Sequence, residues 1–413
     1  MTAAELSKLL FSPVTLVLYT VGMALYLYAM AFSTVGVGDS EDRHAKGRRA
    51  RRLAVGVTLL GVTAHAGQIV ARGVAAGRWP LGNMFEFSSV IAITTVIGGL
   101  IVVQRKMRRP ELMGFVLLGA LMTLGLSVLL YSEPGPLQPI LNTWWLTAHV
   151  SAIVVAAGVF SLAAVFNALY LLRDTAEVRV AAGAGSSFGP GTVGAAQSPP
   201  TVTGETDADL DATLGSVPTR VEADVVDIEG DDQSEHDAAY RAALRSSLAQ
   251  HWFGVTYPWK IALGASVVSL LFSLLWWDVG VSIAMIAALF VATGVAWFAV
   301  PFVPSATTLD SLTYRTVAFA FPIWTFAVIL GAMWAEQSWG RFWGWDPKET
   351  SAFVTWVAYA AYLHARATRG ISGRKAAWLG MGAFACLLFT YYAVNLVIAG
   401  LHSYGGISQT VGA

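Results

Sequence analysis

Ten apolar runs divide this 413-residue chain, at about 11–35, 53–76, 84–103, 112–131, 144–172, 258–279, 281–301, 312–335, 350–367 and 376–401. Each is close to the ~20 residues that carry an α-helix across a bilayer. The chain is therefore expected to be all-α, a polytopic transmembrane helix bundle of about ten spans. Composition agrees: 55% of residues are hydrophobic and only 13% charged. Lys+Arg and Asp+Glu balance at 26 each, so net charge identifies no partner and nothing suggests a nucleic acid. The distribution of charge is more informative.

Basic residues cluster at Arg43, Lys46, Arg48, Arg49, Arg51 and Arg52, at Arg105, Lys106, Arg108 and Arg109, and at Arg366, Arg369, Arg374 and Lys375. With ten spans all three clusters fall on one side, which the positive-inside rule makes cytoplasmic. The stretches 132–143 and 336–349 then face outward, as do both chain termini. A cell-membrane, multi-pass protein is expected. The N-terminus makes a poor signal peptide, because Lys8 is offset by Glu5 and the apolar run is too long, although Ala29-Met30-Ala31 mimics a cleavage site. An uncleaved first span is expected.

Four regions follow: membrane helices over 1–173, an insert at 174–250, a hairpin of two spans at 251–301, and membrane helices over 302–413. The insert is rich in Ala, Gly, Ser, Thr and Pro, with an acidic tract from Asp207 to Asp232. It has too little apolar surface to fold alone and is expected to be disordered and cytoplasmic. A lone Cys386 excludes an internal disulfide framework and a Cys-x-x-Cys redox pair, so the chain is no thiol reductant.

Between the runs 312–335 and 350–367 lies Trp339-Gly340-Arg341-Phe342-Trp343-Gly344-Trp345-Asp346-Pro347-Lys348-Glu349-Thr350. Asp-Pro disfavours helix at Asp346, and the glycines let the chain bend. An aromatic belt at the headgroups explains one or two Trp. It does not explain three Trp and a Phe in seven residues with Arg341, Asp346, Lys348 and Glu349 beside them. A flat aromatic platform for a large planar ligand, with charged groups at its rim, is the sharper expectation.

His149, at the outer start of the fifth run, and His402, at the outer end of the last, face the same compartment as the Trp stretch. Neutral imidazole ligates haem iron, and two helix ends can approach opposite faces of one ring. An interfacial hydrogen bond for each is the alternative. His65 and His364 lie within runs, where a titratable group is costly and functional by default. They could form a second, buried haem site, or each could bridge two helices. Arg78 could meet a haem propionate, since guanidinium pairs well with carboxylate. Asn83 and Glu86 are expected to cap the helix that follows.

The run Trp339-Gly340-x-x-Trp343-x-Trp345-Asp346-Pro347-Lys348-Glu349 resembles the WWD signature of the haem-handling family of cytochrome c maturation (CcmF/CcmC/CcsA). Leu309-Asp310-x3-Tyr314-Arg315, Trp334-Ala335, Tyr362-Leu363-His364-x-Arg366 and Phe389-Thr390-Tyr391 through Gly400-Leu401-His402-Ser403-Tyr404-Gly405 resemble its CcsA (ResC) branch. The resemblance covers roughly 1–173 and 302–406. It implies an eight-span core, to which this chain adds a hairpin. It also implies that haem b is a bound substrate held between His149 and His402 at the Trp loop, with His364 as an intramembrane ligand. The implied partners are a CcsB (ResB) membrane protein, an apocytochrome c with Cys-x-x-Cys-His, and an external thiol reductant. His65 and a histidine of the companion protein compete for the place opposite His364. Asn83-Met84-Phe85-Glu86-Phe87 departs from the Tyr-Glu-Ser common there.

No nucleophile or general-base triad is apparent. Membership of a cytochrome c synthase complex would therefore rest on positioning, two Cys thiols being brought to the two haem vinyl groups. Two other classes stay open: a haem or small-solute permease, and a b-type electron-transfer cytochrome. A permease would want an internal repeat with broken helices, and no repeat is visible. An electron-transfer cytochrome would want paired His on shared helices, whereas each intramembrane His is alone on its span.

Overall fold

The computed structural model describes residues 1–32, 41–107, 109–137, 141–181, 303–396 and 398. Of the insert 174–250, residues 182–250 lie outside them, as do the hairpin 251–301 and His402, so the count of ten spans and the full set of four regions are not addressed by this structure; residues 174–181, expected to be disordered, are helical.

Every regular element among the described residues is helical: α1 (Ala3–Leu9), α2 (Leu16–Phe32), α3 (Glu41–Ala76), α4 (Met84–Gly99), α5 (Met113–Leu129), α6 (Trp144–Ala181), α7 (Ala306–Trp339), α8 (Pro347–Thr368), α9 (Gly373–Leu388) and a terminal turn α10 (Val394–Leu396). Looser π-helical turns at Leu10–Thr15, Leu100–Lys106 and Phe389–Ala393 join or extend them. Among the described residues, six stretches are long and apolar enough to cross a membrane: 3–30, 45–76, 84–106, 144–178, 306–339 and 373–393. Val70 and Val74 of α3 and Phe319, Phe326 and Ile329 of α7 point outward and are exposed. Apolar faces of this extent suit hydrocarbon rather than water.

The helices overrun several expected limits. The basic stretch 43–52 is the opening of α3 rather than a loop, since Arg, Lys and Ala are strong helix formers. α6 continues to Ala181, its last turns braced by the Arg173–Glu177 pair at 2.6 Å, four residues apart. α7 runs through Trp339 and stops at Gly340, whose φ of 70° closes the helix without a Cβ penalty.

α4 and α6 are central. One side of them meets α2, α3 and α5 around Phe85, Phe115, Leu117 and Phe166, and the other meets α7, α8 and α9 around Phe160, Trp324, Tyr359 and Leu387. Small residues set the closest approach. A Cβ added at Gly158 of α6 would stand 2.7 Å from Thr94 Cβ and 2.9 Å from the Ile91 carbonyl oxygen of α4. Backbone cannot yield as a side-chain tip can, so the glycine lets these two helices touch.

The loops sort to two ends. Residues 77–83, 131–137 and 340–346 gather at one, where Arg78 Nε donates to the Gly135 carbonyl at 2.8 Å and Lys8 pairs with Glu133 at 3.0 Å. The basic clusters gather at the other, with Arg374 bonded to Asp174 at 2.7 Å and Arg366 to Asp310 at 2.7 Å. This is the separation that the charge pattern predicted.

Candidate functional site

The aromatic loop is built from its two helix ends. Asp346 caps α8: its side chain accepts from Lys348 N at 3.2 Å, Pro347 takes the first helical position, and Glu349 completes a capping box. Glu349 also accepts from Gly344 N at 2.8 Å and Asp346 N at 3.1 Å, which folds the loop back onto the helix. Arg341 Nη1 stands 3.6 Å from Glu349 Oε1, too far for a hydrogen bond, and its guanidinium lies over the Trp339 ring. The expected charged rim is therefore largely a set of internal struts. Trp345 has φ 57°, the one positive value at a non-glycine among the described residues, and its ring is exposed. A bulky residue in this region stores strain, which is characteristic of functional loops.

The rings do not form a flat shelf. Trp343 and Trp345 meet at 88° with centroids 5.8 Å apart, and each meets Phe353 nearly edge-on, at 79° and 84°. Edge-to-face packing is what ring quadrupoles prefer, and the turn at Trp345 imposes it. At most one of the two can lie parallel to a planar ligand. Trp339, the last residue of α7, stacks edge-on against Trp334 at 4.8 Å.

Trp343 faces a cavity of about 200 Å³. Its walls are apolar for the most part, with Leu81 and Phe87 at one side, Ile153 and Trp324 deeper, and Phe342 and Trp343 at the loop. Lys348, Glu349, His149 and Asn395 supply polar atoms. The π-turn Phe389–Ala393 contributes Thr390 and Tyr391. Tyr391 Oη reaches across to α4, donating to the Met84 carbonyl at 3.2 Å.

His149 is oriented by α7. Its Nδ1 donates to the Ala327 carbonyl at 2.7 Å, which in neutral imidazole leaves the lone pair on Nε2. That is the tautomer and the anchoring expected of a metal-ligating histidine. Gly331 makes room for the ring: a Cβ there would lie 2.7 Å from His149 Cε1 and 2.8 Å from Nδ1. Lys348, in the first turn of α8 before the apolar stretch beginning at 350, is pushed by burial down to about 8, with the Asp346 carboxylate opposing the shift.

The other expected site residues are placed differently. His65 is sealed between helices, with Nε2 2.9 Å from Ser89 Oγ and Nδ1 3.2 Å from Tyr19 Oη. Ser89 in turn donates to Gln68 Oε1 at 2.8 Å. Both ring nitrogens are used in bridging α2, α3 and α4, the structural alternative raised for this residue. His364 is exposed on α8, so the structure does not bring it to His65. Arg78 departs from expectation too. Its nitrogens donate to Gly135 O and Trp79 O at 2.8 Å each and to Glu86 at 2.8 and 3.3 Å, so it serves the protein rather than a ligand carboxylate. Asn83 caps α4 as expected, accepting from Glu86 N at 2.9 Å.

Sequence reasoning missed the knot behind that cap. Glu86, almost wholly buried, accepts from Arg72 Nε at 2.9 Å, Arg78 Nη1 at 2.8 Å, Gly82 N at 2.7 Å and Asn83 Nδ2 at 3.1 Å. Arg72 also donates to the Ser132 carbonyl. One carboxylate thus ties 77–83 to 131–135, and Leu81, Gly82 and Leu137 from these segments line the cavity. Arg72 stands inside an apolar run, and an arginine there is the signal that could have pointed to a buried acidic partner.

Fold and site together define a multi-pass helical membrane protein whose aromatic loop closes onto a cavity at one end of the bundle. A family model of cytochrome c assembly proteins matches residues 81–402. The cytochrome c biogenesis protein CcsA of Gloeobacter violaceus is 30% identical over 397 residues, covering 94% of this chain and 93% of that one. CcsA of Microcystis aeruginosa is 52% identical over 100 residues, 24% of this chain and 30% of that one. CcsA of Rippkaea orientalis is likewise 52% identical over 100 residues, covering 29% of that protein. The chain belongs to the cytochrome c assembly family, as a CcsA-type cytochrome c biogenesis protein.

Proposed function

We propose that this chain holds haem, as substrate, in the cavity beneath the Trp loop and presents it on the extracytoplasmic face of the cell membrane for covalent attachment to apocytochrome c. The observation that carries the reading is His149. It lines the same apolar cavity as Trp343, its Nδ1 tied to Ala327 O, and in this reading Nε2 would be the coordinating nitrogen. Apolar and aromatic walls with a few convergent polar groups suit a large planar ligand. Trp343 supplies the wall, and Asp346 and Glu349 hold the loop that carries it.

His402 is the second axial ligand in this reading. It lies outside the described residues, seven positions after Asn395, which lines the cavity. His364, exposed on α8, is the ligand of an intramembrane site shared with a CcsB (ResB)-like partner, while His65 stays a strut. The chemistry would be addition of each Cys-x-x-Cys-His thiol across a vinyl group, sulfur to one carbon and hydrogen to the other. An external reductant keeps the thiols free. This chain contributes position rather than acid, base or nucleophile, as a subunit of the synthase.

The test is the absorption spectrum of the full chain purified with its membrane partner, set beside cytochrome c assembly in cells lacking it. A bis-imidazole haem spectrum together with lost cytochrome c is expected. A b-type spectrum with normal cytochrome c would instead mark an electron-transfer cytochrome, and absence of bound haem would return the permease reading.

A further inference from the structure

The segment Leu309-Asp310-x3-Tyr314-Arg315, near the start of α7, serves the fold in all but its last residue. Leu309 is wholly buried, Asp310 holds Arg366 at 2.7 Å, and the Tyr314 ring lies 5.2 Å from the same guanidinium. Arg315 is exposed, and among the described residues it makes no ion pair and no hydrogen bond. It lines an open groove of about 400 Å³ with Thr307, Thr308, Ser311 and Leu312 of α7 and with Met107, which follows the π-turn at the end of α4. Arg105 and Lys106, exposed on that turn, add positive charge immediately before Met107. Ser305 Oγ stands 3.1 Å from Thr307 Oγ1 and 3.0 Å from Thr308 Oγ1, which gathers three hydroxyls together.

What adjoins the groove decides which anion suits it. Phe319, Phe326 and Ile329 are exposed, and at 3.6 residues per turn they share the face of α7 that carries Arg315. A cationic, hydroxyl-lined groove therefore opens onto an apolar stripe. α7 has 34 residues and is ~51 Å long, about 20 Å more than the hydrocarbon layer. Arg315 lies roughly 13 Å along the axis from the first residue of α7, so it stands near the boundary between headgroups and acyl chains. Helical side chains lean toward the helix N-terminus, which carries this guanidinium toward Ser311 and Thr308 and away from hydrocarbon. We propose that the groove binds the headgroup of an anionic phospholipid, its phosphate received by Arg315 and its acyl chains lying along Phe319 and Phe326. A guanidinium matches two oxygens of a phosphate at once. Basic pockets between membrane helices are where such headgroups collect. A free phosphate ion could meet the same cation but would gain nothing from the stripe. The site is independent of whatever fills the cavity at the other end of the bundle.

The test titrates the purified full chain in detergent with dioleoylphosphatidylglycerol and with dioleoylphosphatidylcholine, and counts bound lipid by native mass spectrometry. The wild-type chain should favour the anionic lipid by about fivefold, the worth of one arginine at an anionic headgroup. Arg315→Gln should bring the ratio to about one, and Arg315→Lys should keep most of the preference. Thr308→Trp, which fills the groove and spares the guanidinium, should lose it as Arg315→Gln does. Lys375→Gln, at another exposed cation of the same end, should leave it unchanged, which separates a site from general attraction. Inorganic phosphate in large excess should not displace the lipid; displacement would mark a free-anion site and overturn the lipid assignment. Wild-type preference in Arg315→Gln overturns it as well. So does equal binding of both lipids by the wild-type chain, which would leave this face to a companion membrane protein.

Discussion

Replacing His149 by alanine is expected to abolish holocytochrome c assembly while the protein remains in the membrane at its usual level. The expectation rests on two opposing magnitudes. In the folded chain the imidazole makes a 2.7 Å bond to Ala327 O, and losing one such bond costs only about 1 kcal/mol, little beside the packing of α6 on α7. On the proposed haem reading, the same change removes the nitrogen that would coordinate iron. Function should therefore fall far more than abundance. Gly331→Ala makes an informative companion. Its new Cβ would press on the ring at 2.7 Å and turn Nδ1 from Ala327 O, leaving the ligand present but misdirected. Partial haem loading with a shifted absorption band is expected from it. Staining for covalent haem and blotting for the protein check both variants. Normal holocytochrome c in His149→Ala would remove the iron-ligand assignment.

The second large effect concerns stability. Glu86→Ala should unfold the end of the bundle that carries the Trp loop, at a cost of roughly 3–5 kcal/mol, because it strands two guanidinium groups that share one carboxylate. Arg72 is 1% exposed in its side chain and Arg78 10%, so neither can recover its hydration without local opening. The Gly82 amide and Asn83 lose their acceptor at the same time. Adding Arg72→Met to Glu86→Ala should recover part of the loss by removing the more deeply buried orphan charge. Thermal unfolding of the purified variants in detergent, together with their steady-state abundance, measures this. A midpoint for Glu86→Ala equal to that of the wild type would show that the knot contributes nothing.

The residues differ in how plainly the sequence displays their roles. Asp346-Pro347-Lys348-Glu349 reads as a helix start because capping is local chemistry, and the structure places a cap there. Asn83 was legible for the same reason. His149 could be assigned to the end of the bundle that holds the Trp loop, since charge distribution sorts loops by side. Its tautomer could not, because that depends on Ala327, 178 positions away. Neither the ties of Arg78 nor the choice between the two readings of His65 was legible, for one reason: their partners, Glu86, Gly135, Tyr19 and Ser89, are brought to them only by packing. The aromatic run announced a special loop, but not that its rings would stand at right angles.

By itself, then, the chain's order of residues dictated a helical membrane bundle, the capped starts of α4 and α8, and the sorting of the Trp loop and the basic clusters to different ends. These depend on hydrophobicity, capping and charge that each segment carries within itself. Tertiary structure alone decided which polar groups are spent on the protein and which face the cavity. A hydrogen bond or ion pair belongs to two partners, and here the partners come from helices far apart in the chain.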